Sequence, residues 1–349
     1  MYAYPMSPIE STYCAQKMSL TRLEEIERAA VTKMEDEYAD EIAAHTKELE
    51  MLAIPDVNMI DLQPEIQWHM RPYLLDFLIE SHLSLHLQPQ TLYLAINLID
   101  RYCSRRVVYK RHYQLVGCAA LWIASKYEDK KDHVPSVREL KIMCCNAYEE
   151  DMFVQMEGHV LHTLDWSIGV PTSETYLRQL TQNSCSSTLQ HLASYLCEVS
   201  MYSRSMLSFP ASVMASAAYI VAQHILCHSP GQRPFNLPTP ASEEESKCVV
   251  LLSQHLHTAS ESLAHKYSSS KFSQVALILQ DFLVRQHRAA ASAPPTPPLS
   301  SAGSDVRETV PSIPAMDKNS MSSARYGYLT PPTTPDGTDL PGEKYPPVA

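Results

Sequence analysis

The chain has 349 residues, enough for two ordinary domains and tails. Its apolar share of 45% supports buried cores, and only 8 glycines argue against a turn-rich all-β fold. A net charge of -11, from 28 basic and 39 acidic residues, has the wrong sign for a general nucleic-acid binder. No apolar run reaches the roughly 18 residues of a membrane span, and Met1 to Glu10 lack a charged start and an apolar signal core. A soluble, intracellular chain without nucleic-acid or membrane partners is expected. The nine cysteines form no CxxC pair, and most lie in apolar stretches where a free thiol acts as a small hydrophobe.

In chain order, residues 1–34 are mixed and weakly patterned and read as a flexible tail. Within 35–54, an acidic start at Glu37 and the apolar positions Tyr38, Ile42, Leu49 and Leu52 predict one isolated amphipathic helix. Pro55 and Pro64 bracket a linker. A densely apolar block over 60–168 follows. Its first helix carries Met70, Leu74, Phe77, Leu78 and Leu85, and its second starts at Pro89 and carries Leu92, Ala95, Ile96, Ile99 and Cys103. The third, through Val116, Ala120, Ile123 and Tyr127, is apolar nearly all round and should be central. A short helix after Pro135 and a fifth carrying Phe153, Met156, Val160 and Leu164 complete the block.

Val170-Pro171-Thr172 opens a second helical set over 169–286. Its candidates are Ser173–Gln182, Thr188–Tyr202, Pro210–Cys227 and Lys247–Tyr267, with Phe272–Val284 closing it and the proline-rich residues 230–240 interrupting it. Two blocks of about five helices each suggest an all-α chain built on a duplicated domain. Order should end beyond Arg288. Residues 287–349 hold about half of the chain's 25 prolines among Ser, Thr and Ala and cannot bury a core.

Residues 70–80 read Met-Arg-Pro-Tyr-Leu-Leu-Asp-Phe-Leu-Ile-Glu. Leu98-Ile99-Asp100-Arg101-Tyr102, Gln114-Leu115-Val116-Gly117, Ala124-Ser125-Lys126-Tyr127-Glu128 and Gln155-Met156-Glu157 follow. In order, spacing and residue type this series resembles a cyclin box. Val170-Pro171-Thr172 resembles the junction into a second cyclin fold, and Lys271-Phe272-Ser273 resembles its end. The resemblance covers about residues 37–286, and its details are closer to fungal G1 and G1/S cyclins than to mitotic ones. It implies two tandem five-helix cyclin folds, preceded by an N-terminal helix and flanked by disordered tails. It also implies a non-catalytic subunit that activates a cyclin-dependent Ser/Thr kinase at G1 or G1/S, in nucleus and cytoplasm. A cyclin for a phosphate-sensing or transcriptional kinase is the alternative. A transcription-factor scaffold with paired cyclin folds would predict basic helices or a zinc ribbon, and neither is in the sequence.

The same resemblance gives residues roles. Lys126 and Glu157 match the pair that hydrogen-bonds backbone beside a helix of the kinase. By themselves, two opposite charges in apolar helices read as a structural ion pair. Tyr127, Leu161, Trp166 and Ile42 are the expected apolar kinase contacts, each of which also reads as ordinary core. Gly158 costs about 1 kcal/mol of helix propensity, which a close backbone approach or a tolerated defect would explain. Arg71 and Asp100 match a structural ion pair between the first two helices. Met70, Leu74 and Phe77 share a helix face, and with Glu80 and Gln114 they resemble a groove that docks substrates or inhibitors. There Phe77 replaces the usual Trp.

In the tail, Leu329-Thr330-Pro331-Pro332-Thr333-Thr334-Pro335 resembles a phosphodegron for an F-box ubiquitin ligase. Phosphates on Thr330 and Thr334 could engage separate Arg-lined pockets. Thr296 and Ser300 repeat the spacing. The N-terminal tail has no Arg-x-x-Leu element of the mitotic kind. His224 and His228 are four apart but lack a third ligand, so no metal is expected. No phosphate-binding glycine loop, nucleophile elbow or kinase signature occurs, so no cofactor and no catalytic residues are expected.

Overall fold

The computed structural model describes residues 8–182, 186–227 and 239–292, with side chains from 22 to 288. Every regular element among them is a helix. The N-terminal region is α1 (Pro8–Glu37), α2 (Ala39–Leu52) and the short α3 (Val57–Asp61). The first fold is α4 (Arg71–Ser84), α5 (Pro89–Arg105), α6 (Tyr113–Glu128), α7 (Val137–Met143) and α8 (Glu150–Thr163). The second is α9 (Ser173–Thr181), α10 (Ser187–Ser200), α11 (Ala211–Cys227), α12 (Glu243–Gln254), α13 (Glu261–Ser268) and α14 (Val275–Ser292).

Local chemistry sets these boundaries. Pro72 and Pro89 sit in the first turns of α4 and α5, where a missing N–H costs nothing. The Asp56 carboxylate caps α3, and Ser136 with Glu139 forms a reciprocal capping box on α7. Ser186, Ser242 and Ser260 accept from the third residue of α10, α12 and α13.

Four elements differ from the sequence reading. The linker bracketed by Pro55 and Pro64 holds the short helix α3. Residues 8–34, read as part of a flexible tail, lie in the long helix α1, which runs on to Glu37. Good helix formers such as Ala, Glu, Lys, Met and Arg dominate it, with no Gly and no Pro after the first residue, so propensity acts where burial does not. Lys247–Tyr267, read as one helix, is two: α12 closes at His255, and Ser260 starts α13 by capping it. α14 runs to Ser292, past the Val284 at which the closing segment was placed.

Each fold is wrapped around one helix. α6 packs against α4, α5 and α8, and α11 packs against α9, α10 and α12. Both are Ala-rich and buried on most sides, because only small side chains let several neighbours approach one helix axis. Gly117 is the extreme case, since a Cβ there would lie 2.7 Å from Leu74 Cδ1.

A buried ion pair pins each fold. In the first, Arg71 donates to both Asp100 oxygens, the Nη2 bond being 2.8 Å, and its Nε donates to Met201 O at 2.7 Å. Burial opposes the guanidinium charge, but Asp100 outweighs it and Arg71 holds its proton more tightly than usual. In the second, Lys266 Nζ meets both Glu198 oxygens at 2.6 and 2.7 Å, and Tyr267 donates to Glu198 at 2.6 Å. Further bonds join the folds: Tyr202 Oη donates to Asp76 (2.6 Å), Tyr93 Oη to Ser194 O (3.2 Å) and Ser262 Oγ to Glu80 (2.7 Å). The buried Glu50 of α2 accepts from Ser212 N at 2.5 Å, at the start of α11. A carboxylate at a helix N-terminus satisfies an orphan donor and complements the helix dipole, so α2 is anchored to the second fold by its only buried residue.

Candidate functional site

The charged pair sits where the central helix of the first fold reaches the surface. Lys126 is in the last turn of α6, beyond its buried stretch, and Glu157 lies mid-way along α8. The packing of α6 against α8 brings Lys126 Nζ to 2.5 Å from Glu157 Oε1, with side-chain exposures of 40% and 16%. The ammonium also lies 3.2 Å from the ring centroid of Trp122, one turn back on α6. Trp122 is itself fixed, its Nε1 donating to Pro135 O at 2.9 Å. The lysine therefore rests on an indole platform with its carboxylate beside it.

Around this pair the surface is apolar and open. Tyr127 is 56% exposed and its ring lies over Gly169, where a Cβ would collide with the phenol oxygen. Leu161, one turn after Glu157, is half-buried against the core. Among the described residues nothing lies within 4 Å of a Cβ built at Gly158. The close approach that could account for this glycine is therefore not made by any of the described residues. Its neighbour His159 is engaged by Tyr102, whose Oη is 2.8 Å from Nδ1, and burial, then Arg106 and His162, lower its pKa.

After α8 the backbone turns sharply. Asp165 and Trp166 both have positive φ, 53° and 58°, which costs non-glycine residues about 1–2 kcal/mol each. Trp166 N bonds Leu161 O at 3.0 Å, and Arg105 holds the turn through Thr163 O (3.0 Å) and Asp165 (3.3 Å). The result is an indole that is 68% exposed. Ile42, on α2, is 50% exposed.

The proposed docking face is divided. Met70, in the turn Trp68–Met70, Phe77 and Gln114 are half-buried, and Glu80 is exposed and bonded by Ser262. Leu74 is only 6% exposed and fills the space left by Gly117, so it belongs to the core rather than to a surface groove. The i, i+4, i+7 spacing is right for one face, but its middle position is buried while Met70 and Phe77 on either side are half-buried. Thr296, Ser300, Thr330 and Thr334 lie outside the described residues.

Sequence reasoning missed Trp122, Gly169 and Glu50. The Trp122–Lys126 spacing of four was a visible signal for a stacked cation. Nothing local marked Glu50 or Gly169, whose partners are distant in sequence.

Residues 41–169 match the family model for the cyclin N-terminal domain, and residues 171–281 match that for the C-terminal domain. The chain is 50% identical over 226 residues to the G1/S-specific cyclin CCN1 of Candida albicans, covering 58% of this chain and 33% of that one. It is 37% identical over 253 residues to cyclin puc1 of Schizosaccharomyces pombe, covering 66% and 68% respectively. It thus spans about a third of the Candida relative's length and two thirds of the other's. A viral cyclin from herpesvirus saimiri superposes with a TM-score of 0.51 at 18% identity, over 61% of this chain and 95% of that one, which supports the fold. With both domain models matched in tandem across two helical folds, the chain belongs to the cyclin family.

Proposed function

We propose that this chain is a non-catalytic regulatory subunit that binds and activates a cyclin-dependent Ser/Thr kinase, at G1 or the G1/S transition, in nucleus and cytoplasm. The observation that carries this reading is the Lys126–Glu157 pair: joined, accessible, and set among exposed Tyr127 and Trp166 beside the open face at Gly158. The G1/S name of the Candida relative supports the cell-cycle stage.

An active kinase needs one of its helices to carry a Glu to the Lys that binds ATP phosphates. Moving that equilibrium from about 1:99 to 99:1 takes roughly 5.5 kcal/mol. Lysine has three donor hydrogens, and Lys126 gives one to Glu157, leaving others for carbonyls of a partner helix end. Hydrogen bonds to charged groups contribute about 1.5–3 kcal/mol each. Burying large apolar side chains adds about 1.5–3 kcal/mol apiece, for which Trp166, Tyr127 and Ile42 are available and Leu161 in part. Two charged contacts and two apolar ones sum to roughly 6–12 kcal/mol before ordering costs, which is the same order as the requirement, so the wider apolar surface must contribute as well. Co-purification with a cyclin-dependent kinase and stimulation of histone phosphorylation test the reading. A folded chain that captures no such kinase and leaves every one tested idle defeats it.

Met70, Phe77, Glu80 and Gln114 form a second proposed surface for kinase substrates or inhibitors, with Glu80 as the site for a basic residue. In the tail, Thr330 with Thr334, and Thr296 with Ser300, are proposed phosphodegrons for an F-box ligase. Thr330→Ala is expected to lengthen the protein's half-life in cycling cells severalfold, measured by decay after synthesis is blocked. An unchanged decay rate would make that Thr-Pro incidental.

A further inference from the structure

One side-chain cluster takes no part in the proposed interface. Cys118, on the buried face of α6, and Cys144, the residue that closes α7, have sulfurs 3.2 Å apart and are separated by 26 positions in sequence. Both are free thiols, at 0% and 2% exposure. They sit in a small apolar cluster with Leu115, Trp122, Leu140 and Phe153, separate from the main core. The contact is thiol to thiol, with either sulfur able to donate. Cys144 ends a short helix, whereas Cys118 lies within the central helix, so an oxidant reaches Cys144 first.

Burial alone would make both thiols inert, but the setting of Cys144 is shallow. α7 is a short helix, Ile142 in its last turn is 63% exposed, and the chain leaves through two residues of positive φ, Cys145 (54°) and Asn146 (59°). A short element with a strained exit opens locally at low cost compared with the central helices. Cys145 is exposed and provides a comparison thiol on the same segment.

We propose that Cys118 and Cys144 are a reversible oxidation site, at which a peroxide or a small-molecule disulfide joins them in an intramolecular disulfide. With hydrogen peroxide, the Cys144 thiolate attacks one oxygen, the O–O bond breaks, and the departing oxygen leaves as water, giving a sulfenic acid. Cys118 then attacks that sulfur, the S–O bond breaks, and a second water leaves. Two thiols are oxidised and one peroxide is reduced. With oxidised glutathione, exchange passes through a mixed disulfide and releases two reduced glutathiones. In a thiol-rich medium the dithiol is the resting state, which makes the bond transient.

The bond would act beneath the Lys126–Glu157 pair. Trp122, in the same cluster, carries the Lys126 ammonium, so closing the ring fastens α7 to α6 directly under the kinase-facing pair. A loop of this size constrains the unfolded chain enough to raise the melting temperature by about 5 °C or more.

The test uses the reduced full-length chain, treated with hydrogen peroxide or oxidised glutathione while its helical circular dichroism is followed. Remaining thiols are then alkylated and the peptides mapped without reductant. One Cys118–Cys144 linked pair is expected, lighter by two hydrogen atoms than the separate peptides and split by dithiothreitol. It should persist in Cys145→Ser and vanish in Cys118→Ala, along with the rise in melting temperature. If Cys118→Ala does not fold, the map of the unaltered chain decides alone. Modification at Cys145 only, or full alkylation of both buried thiols, overturns the proposal. So does a link that forms only after the helical signal is lost. None of these readouts depends on a kinase.

Discussion

Replacing Lys126 and Glu157 together by alanine is expected to reduce capture of the kinase about 100-fold or more, while the chain stays folded. The two parts of this prediction have different physical origins. Within the chain the pair is a partly exposed ion pair, and such pairs contribute about 0–1 kcal/mol to stability. The stacking of Lys126 on Trp122 adds about 0.5–1 kcal/mol. Melting should therefore fall by only a few degrees. Across an interface the same groups lose water and make charge-assisted bonds of about 1.5–3 kcal/mol each, so removing both costs about two powers of ten or more in affinity. The measurement is a binding titration beside a melting curve. Unaltered affinity in a folded double variant would remove these residues from the interface.

The reverse pattern is expected at Arg71. Arg71→Ala leaves the Asp100 carboxylate buried without its cation and Met201 O without its donor, at a cost of about 3–5 kcal/mol. That is a large part of a typical stability of about 5–15 kcal/mol, so the melting temperature should drop by about 10 °C. Any loss of kinase capture should disappear when binding is measured well below the new melting point and normalised to folded chain. Removing Asp100 as well should recover part of the loss, because the stranded charge goes with it. An Arg71→Ala chain that melts normally yet binds no kinase would move this residue from the core to the interface.

The two pairs show why the site was more legible than the packing around it. Lys126 and Glu157 lie in the motif blocks that resemble a cyclin box, and that resemblance rather than their spacing singled them out; the packing of α6 against α8 joins them. Trp166 was expected as an apolar contact that also read as core, and it is the turn after α8 that leaves its indole exposed. Leu74 shows where periodicity stops: three positions on one helix face define a stripe, yet which neighbour covers it depends on the absent side chain at Gly117. For α1 the weak apolar pattern was read as absence of structure, although helix propensity is a separate contribution and persists on a solvent-exposed helix. The split between α12 and α13 rested on a serine cap within a run whose apolar positions continued past it. The Glu198–Lys266 pair had no sequence signal, because its members are 68 residues apart and neither sits in a motif block.

The order of the residues was sufficient to give an all-helical chain of two successive folds and the central place of α6. These follow from local propensity, apolar period and motif spacing, which act over one or two turns. Tertiary structure alone decided that Lys126 stacks on Trp122, that Glu50 anchors α2 to the start of α11, and that Cys118 and Cys144 meet. Each depends on how separate elements pack, or on which rotamers that packing leaves, and close packing selects such meetings by volume and satisfied polar groups over the whole chain.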